Sequence, residues 1–335
     1  MNHQRSHVLQ VRKLYSLALS LLGAVIGVFL MVELAGTASS SDGLRARPAV
    51  DPAWGLVWSD EFNGTGRVNT STWIYDIGTS YPSGPSNWGT HEVEVMTDST
   101  NNVFQSGGNL NIRALHAGTI PTTGWTSGRI ETARTDFQPP VSGQMAVEAK
   151  IQLPNVTGAA AQGYWPAFWM LGAPYRGNYW NWPSVGEIDI MENVNGTNIW
   201  VGTFHCGVYP GGPCNEPTGR SSGPVGGFSP TLQSAFHIYR FEWDRRTAIE
   251  QLRWYVDGIQ RHTVNENDPG LDATTWANAT NHGFFIILDL AIGGDWSGNP
   301  TSATVSGGTL LIDYVRVYVE PPWIVYVPLI RKDSD

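Results

Sequence analysis

The hydrophobic and polar residues of this chain alternate at a period of two over many short stretches. Clear examples are residues 110–113, 145–151 and 311–318. Successive side chains of a β-strand point to opposite faces, so this pattern predicts strands with one buried face, as in antiparallel sheets. Few stretches carry the 3.6-residue apolar period of a long helix, and 38 glycines and 21 prolines can supply turns. The pattern therefore predicts an all-β domain with little helix.

One apolar, strand-like run, residues 186–193, carries three carboxylates within six residues. In an extended strand Glu187 and Asp189 point to one face, whereas Ile188 and Ile190 point to the other. Crowded carboxylates are costly, and folding alone gives no reason to keep them. This run is therefore the candidate functional site.

The third carboxylate of the run, Glu192, has the wrong parity for that face. One extra residue, Ile190 or Met191, accommodated in a β-bulge would return Glu192 to the side of Glu187. We therefore predict a bulged strand with all three acids on one surface.

Repulsion between adjacent carboxylates drives their pKa values apart, so that one stays ionised while another holds a proton. Such a pair can cut a glycosidic bond, and a separation of about 5–5.5 Å leads to retention of anomeric configuration. The bulge favours this short spacing. We assign Glu187 as nucleophile, Glu192 as acid/base and Asp189 as the group that hydrogen-bonds Glu187 and tunes its protonation. A cation site and a solvated acidic edge strand stay open as alternatives.

The run is similar to the Glu-x-Asp-x-x-Glu signature of glycoside hydrolase family 16, in the bulged form of its laminarinase-like members. Other blocks of this chain resemble that family's blocks and follow in the same order, from about residue 54 to residue 319. These blocks are residues 60–64, 127–130, 165–171, 254–258, 293–296 and 313–318.

The resemblance implies two curved antiparallel sheets packed as a β-jelly roll of the concanavalin A-like lectin and glucanase type. It also implies a retaining endo-glycosidase that cuts internal β-1,3 bonds of a β-glucan such as laminarin. An endo-β-1,3-galactanase or another galactan hydrolase of the same fold is the nearest alternative, and a transglycosylase is a third. A carbohydrate-binding, lectin-like module is the alternative from another class.

The composition favours a neutral polysaccharide partner. The formal net charge of −9 argues against nucleic acid. Fifteen tryptophans exceed what a core needs, and exposed aromatic planes suit the flat faces of sugar rings. Trp243 and Trp254 are expected in the core. Trp165 and Trp169 share one strand face and, with Trp182, are the candidate sugar contacts.

Two further residues are expected at the cleft. The family places a histidine on the catalytic sheet at the position of His205, which predicts a contact with substrate or with the acid/base. Arg129 is predicted to hydrogen-bond sugar hydroxyls or a catalytic carboxylate, and a strand-end salt bridge is its alternative. Residues 87–92 resemble a family cleft block only in part, since His91 replaces the usual amide, which leaves the sugar preference open there.

The termini predict an exported protein. Residues 1–38 combine basic residues, an apolar run and small residues before a cleavage point after Ala38, as in a signal peptide, although the run is long enough for an N-terminal anchor. Residues 39–53 read as a flexible leader, 54–320 as the catalytic domain and 321–335 as a C-terminal tail. We expect a secreted or surface-associated monomer that meets a membrane only if the segment stays uncleaved.

The two cysteines, Cys206 and Cys214, are expected to form a short-loop disulfide in an oxidising compartment. Catalysis needs no cofactor. The family resemblance implies a structural calcium, for which Glu61, Gly108 and Asp313 are the matching positions.

Overall fold

The computed structural model describes residues 54–320, which form a β-sandwich. The strands are β1 Gly55–Asp60, β2 Trp73–Tyr75, β3 Glu94–Met96, β4 Val103–Ser106, β5 Asn109–Arg113, β6 Leu115–His116, β7 Trp125–Ser127, β8 Arg129–Thr132, β9 Gln144–Gln152, β10 Tyr164–Gly172, β11 Glu187–Glu192, β12 Ile199–His205, β13 Arg220–Ser221, β14 Val225–Gly226, β15 His237–Asp244, β16 Gln251–Val256, β17 Ile259–Asn265, β18 Phe284–Ile292 and β19 Thr309–Glu320. Helix is scarce, as predicted: α1 spans Ala273–Thr280, and 3-10 turns cover Ser86–Gly89, Gly158–Ala161 and Ala173–Tyr175.

Two eight-stranded antiparallel sheets make the sandwich. The first has the order β17-β16-β15-β9-β19-β5-β4, with β1 paired to β19. The second has the order β13-β12-β11-β10-β18-β8-β2, with β14 paired to β12. A small third sheet, β3-β7-β6, contains the one parallel pair among the named strands of residues 54–320. The order is not sequential, so the sheets are built from strands far apart in the chain.

The core lies between the two large sheets and is formed mainly by the apolar side chains that alternate along their strands. Trp243 of β15 and Trp254 of β16 are fully buried, which confirms their predicted core positions. The apolar residues of β11 enter the same cluster from the other sheet. The indole N–H of Trp254 donates to the backbone oxygen of Asp189 at 2.8 Å, so the core ties directly to the strand that carries the acids.

A second, smaller apolar cluster lies on the opposite face of the second sheet. Leu171 of β10 with Phe285 and Ile287 of β18 point away from the main core, because their neighbours along each strand enter it. Aromatic rings pack against this cluster, namely Tyr81, Trp88, Trp169, Tyr175, Tyr179 and Trp182. Since Leu171 pairs with Glu187, the cluster borders the acidic face and supplies a wall beside it.

No helix within residues 54–320 is long and apolar enough to cross a membrane. The predicted signal peptide or N-terminal anchor of residues 1–38, the flexible leader 39–53 and the C-terminal tail 321–335 lie outside the described residues, and these assignments stay predictions.

Candidate active site

The predicted bulge is present in β11. Against β10, Met191 pairs with Phe168 and Asp189 pairs with Trp169, so Ile190 is the extra residue. Against β12, Asp189 pairs with Thr203 and Glu192 with Val201, so two residues of β11 stand opposite one of β12.

Packing on the core side explains why the strand accepts the bulge. The consecutive side chains of Ile190 and Met191 are both fully buried in the main core. The residue opposite them is Gly202, where a Cβ would lie 2.5 Å from the ring of Trp200 and 2.8 Å from that of Trp254. Two apolar anchors and a glycine therefore fix the register, and Glu192 returns to the face of Glu187 and Asp189.

The three acids differ in exposure and partners. Glu187 and Glu192 are half-buried, while Asp189 is 4% exposed and lies between them on the strand. Glu192 accepts a hydrogen bond of 3.0 Å from the indole N–H of Trp165 on β10. The two glutamates therefore reach the surface, and one is oriented by a tryptophan.

His205, at the end of β12, pairs in register with Glu187 and faces the acids. Its Nε2 lies 3.1 Å from Oδ2 of Asp189 and 3.9 Å from Oε1 of Glu187. The contact with Asp189 is an ion-pair contact rather than an aligned hydrogen bond, since that oxygen has no well-directed donor. Such contacts commonly tighten only when substrate is bound.

Burial raises the pKa of both glutamates, Glu187 and Glu192. The pKa of Glu187 rises to about 8, first through burial and then through the charge of Asp189, and His205 opposes the rise. Burial and Asp189 raise the pKa of Glu192 well above its ordinary value, against the hydrogen bond from Trp165. Repulsion and desolvation thus favour a site that holds a proton at neutral pH.

The imidazole of His205 behaves in the opposite sense. Burial lowers its pKa, but the close contacts with Asp189 and Glu216 and the negative charges of Asp189 and Glu187 outweigh burial and raise the pKa well above the ordinary value. These surroundings favour the imidazolium form of His205. Atoms of Glu187, Asp189 and His205 lie within 4.8 Å of one another, a spacing that suits a metal, which would bind only the neutral form of the imidazole.

The predicted sugar-binding tryptophans lie around the acids. Trp165 and Trp169 share a face, as predicted, and Phe168 between them is fully buried. Trp165 also contacts Trp296 edge-on at 5.7 Å, and the indole N–H of Trp169 donates to Asp289 at 2.7 Å.

Trp182 stands at the other side of the acids. Its ring centroid is 5.7 Å from that of His205 and 6.0 Å from that of Tyr209. Tyr209 is 60% exposed and extends the aromatic surface into the loop after β12. The aromatic rings therefore continue on both sides of the acidic strand.

Arg129 differs from the predicted sugar contact. It is 5% exposed, and its guanidinium donates to Asp76 at 3.0 Å and to the hydroxyl of Tyr81 at 3.1 Å. The rings of Trp88 and Trp169 lie within 5 Å of the guanidinium carbon. The observed contacts are those of the alternative, a salt bridge, because Arg129 lies beneath the aromatic surface rather than on it.

His91, the departure from the family's block, lies on an exposed loop. Its Nδ1 is 3.0 Å from a carboxylate oxygen of Asp295 in the loop after β18. The backbone of His91 adopts a φ of +62°, in the left-handed region. This contact joins two loops near Trp296, one of the exposed rings beside Trp165.

Two carboxylates near the site were not predicted from the sequence. Glu216 binds Nδ1 of His205, but it sits in an irregular loop with no periodic pattern to mark it. Asp289 is buried beneath Trp169, and burial raises its pKa to about 7. A signal for Asp289 existed, since it is the one charged residue in the apolar strand β18.

The disulfide is present, and Cys206 and Cys214 lie 5.4 Å apart at their Cα atoms. The expected calcium positions are brought together by register: Asp60 pairs with Val315 and Leu110 pairs with Ile312, so Glu61 and Gly108 flank Asp313. The carboxylate of Asp313 contacts Lys150, and that of Glu61 binds Arg316 at 2.6 and 2.8 Å. A calcium at these positions stays a prediction, and it would have to displace the half-exposed Lys150 from Asp313.

Comparison with known proteins identifies the class. Residues 90–316 match the model of Glycosyl hydrolases family 16. Glucan endo-1,3-beta-glucosidase A1 of Niallia circulans is 32% identical over 303 residues, which are 84% of this chain but 41% of that protein. The crystal structure of endo-1,3-beta-glucanase from Streptomyces sioyaensis is 52% identical with a TM-score of 0.78, covering 83% of this chain and all of that chain.

The laminarinase catalytic domain from Thermotoga maritima is 32% identical with a TM-score of 0.65, over 79% of this chain and 98% of that domain. Two antiparallel sheets with a bulged acidic strand define a jelly-roll glycosidase, which confirms the predicted fold. The chain belongs to glycoside hydrolase family 16, in its laminarinase-like branch.

Proposed function

We propose that this protein is a retaining endo-glycosidase that hydrolyses internal β-1,3 bonds of a β-glucan such as laminarin. The observation that carries the proposal is the bulge at Ile190, which brings Glu187 and Glu192 to one face of β11 with Asp189 between them. The similar proteins are an endo-1,3-β-glucanase and a laminarinase, which supports the substrate class.

The proposed reaction has two displacements. The carboxylate of Glu187 attacks the anomeric carbon while the carboxylic acid of Glu192 gives its proton to the leaving glycosidic oxygen, which breaks the sugar–oxygen bond. Glu192, now ionised, then takes a proton from water. The resulting hydroxide attacks the anomeric carbon, displaces Glu187 and leaves the anomer of the starting linkage.

The surrounding residues suit these roles. The acid must hold a proton at neutral pH, and burial raises the pKa of Glu192. The nucleophile must be ionised. Burial and Asp189 raise the pKa of Glu187 to about 8 and the charge of His205 opposes that rise, so the reactive, ionised form is present in part at neutral pH and predominates above pH 8. The hydrogen bond from Trp165 fixes the direction of the acid, and Asp189 separates the two glutamates.

The first experiment is a substrate panel. Laminarin, mixed-linkage β-glucan and β-1,3-galactan are incubated with the protein, and released reducing ends and product lengths are compared. We expect short oligosaccharides from laminarin from the earliest time points, since an endo-enzyme cuts internal bonds. Release from galactan alone would contradict the glucan assignment, and products longer than the starting oligosaccharide would show transglycosylation.

The stereochemistry and the residues are tested together. Proton NMR during hydrolysis should show the β-anomer first, and an initial α-anomer would refute retention. Glu187→Gln and Glu192→Gln should each lose most turnover, with circular dichroism unchanged. Near-normal activity in either variant would remove the assignment of that residue.

We also propose that the protein works outside the cytoplasm as a monomer. The disulfide between Cys206 and Cys214 and the apolar run within residues 1–38 support export. N-terminal sequencing of protein from the medium would show whether a signal peptide has been cleaved. An uncleaved anchor would instead leave the chain in the membrane fraction. Light scattering tests the monomer.

A further inference from the structure

Glu216 is a carboxylate that the proposed reaction does not use directly, yet both of its oxygens are hydrogen-bonded to residues beside the site. Its side chain is fully buried. Oε2 lies 2.6 Å from Nδ1 of His205, and Oε1 accepts the backbone N–H of Cys206 at 2.9 Å. A buried carboxylate is costly unless both oxygens are hydrogen-bonded, and these two contacts satisfy that requirement.

The loop that carries Glu216 is closed at several points. The disulfide joins Cys206, which follows β12, to Cys214, two residues before Glu216. The backbones of Gly211 and Glu216 exchange two hydrogen bonds of 2.7 Å. The position of the carboxylate is therefore set by covalent and backbone constraints.

The far side of the loop packs against the same histidine. A Cβ at Gly219 would lie 2.4 Å from the methyl group of Thr203 and 2.9 Å from the ring of His205, and Gly219 has a φ of +65°. A side chain at this position is excluded by both space and conformation. The loop thus closes onto the imidazole from two directions.

These contacts determine where the Nδ1 proton of His205 goes and how its ring is oriented. With Nδ1–H donated to Glu216, the ring is fixed and Nε2 faces Asp189 and Glu187. The charged groups that face the imidazole are these two acids and Glu192 on β11, and Glu216 on the loop, all of them carboxylates. Trp182 covers the ring and carries no charge.

We propose that Glu216 is a positioning residue that holds His205 as an imidazolium directed at Asp189 and Glu187. This inference rests on the proposed function. In this arrangement the positive charge opposes the effect of burial on Glu187 and so favours the ionised form, in which Glu187 can act as the nucleophile while Glu192 keeps its proton. Glu216 acts only through His205 and does not touch the substrate.

The test uses the full chain with Glu216→Gln, which keeps the shape and removes the charge. A positioned proton-transfer or charge partner contributes about 10²–10⁴-fold, so we expect kcat to fall at least about tenfold with little change in KM. The alkaline limb of the pH profile of kcat should move to lower pH, because His205 loses its proton sooner. Glu216→Asp, which retains the charge, should move that limb less.

Glu320→Gln is the matched control, since Glu320 is an equally buried carboxylate on the first sheet, bonded to Arg246 at 3.1 Å. It should lower the melting temperature without moving the pH profile. If Glu216→Gln behaves as this control does, or if the Gln and Asp variants have the same profile, the positioning role is refuted.

A measurement that does not depend on turnover can test the role of Glu216 independently of the proposed glucanase function. Nitrogen-correlated NMR of the imidazoles, with His205 assigned through His205→Asn, should show His205 doubly protonated in the wild type at pH values where exposed histidines are neutral. In Glu216→Gln it should titrate at lower pH. A wild-type His205 that titrates with the exposed histidines would overturn the proposal, whereas failure of the substrate panel alone would refute only the glucanase assignment.

Discussion

Replacing the proposed nucleophile should make the protein more stable, by an amount that depends on pH. The side chain of Glu187 is 15% exposed, and its pKa rises from 4.5 to about 8, first through burial and then through Asp189. In the unfolded chain the group loses its proton near pH 4.5, whereas the folded protein retains it until about pH 8. The folded state binds more protons between these values, so stability falls as pH rises through that range.

The magnitude follows from the same values. Each pKa unit is about 1.4 kcal/mol, so the difference between 4.5 and about 8 sets an upper limit of about 5 kcal/mol at pH 8 and above. Glu187→Gln removes this cost because the amide carries no charge. In a domain of this size about 1 kcal/mol corresponds to roughly 2 °C, so we expect a gain of about 4–10 °C at pH 8.

The assay is the melting temperature of both proteins from pH 4 to pH 9. The curves should meet near pH 4, where Glu187 is protonated in both states, and separate as pH rises to about 8. Asp244→Asn is a control of opposite sign. Burial opposes the shift, but hydrogen bonds from Arg246 and Arg253 lower the pKa of Asp244 from 3.8 to about 2. This variant should therefore be less stable than the wild type by a nearly constant amount from pH 4 to pH 9, and in added measurements below pH 4 the loss should shrink as pH falls through 2.

A stability difference between Glu187→Gln and the wild type that is the same at pH 4 and pH 8 would refute the electrostatic reasoning. A variant less stable than the wild type at pH 8 would refute it too, because it would show that the charged carboxylate is stabilised by its surroundings.

Two further predictions concern the acid and the expected calcium. Trp165→Phe keeps a ring but removes the N–H that binds Glu192, so kcat should fall about tenfold with KM nearly unchanged, and an unchanged kcat would show that this bond does not orient the acid. Calcium should raise the melting temperature of the wild type but not of Asp313→Asn, and the chelator EDTA should reverse the gain; an equal effect on both proteins would remove Asp313 from the site.

The acids and their bulge were predictable because parity is a strict property of a strand. A carboxylate in an apolar strand is expensive, and the spacing from Glu187 to Glu192 leaves a bulge as the way to bring both to one face. The sequence could not choose between Ile190 and Met191, since both are apolar and both enter the core.

Hydrogen-bond partners that are distant in the sequence could not be predicted in this way. Arg129 was predicted to bind sugar hydroxyls or a catalytic carboxylate, with a salt bridge as the alternative, because nothing near it in the chain indicates Asp76, which is 53 residues away and binds it in the structure. Glu216 belongs to a turn-rich loop, where conformation is set by a disulfide and backbone bonds rather than by a repeating pattern. Asp289, by contrast, interrupts an apolar strand as the acids of β11 do, and it could have been predicted from the same pattern.

The cost of the acidic face explains why the opposite face of β11 is packed so fully. Ile188, Ile190 and Met191 have no exposed surface, although an unbulged strand would turn one of the last two toward solvent. Each buried aliphatic side chain contributes about 1.5–3 kcal/mol, which is of the same order as the penalty estimated for Glu187. The bulge therefore serves both sides of the strand: it adds an apolar anchor to the core and places the second glutamate beside the first. A change that removed the extra residue would lose the anchor and separate the acids in one step.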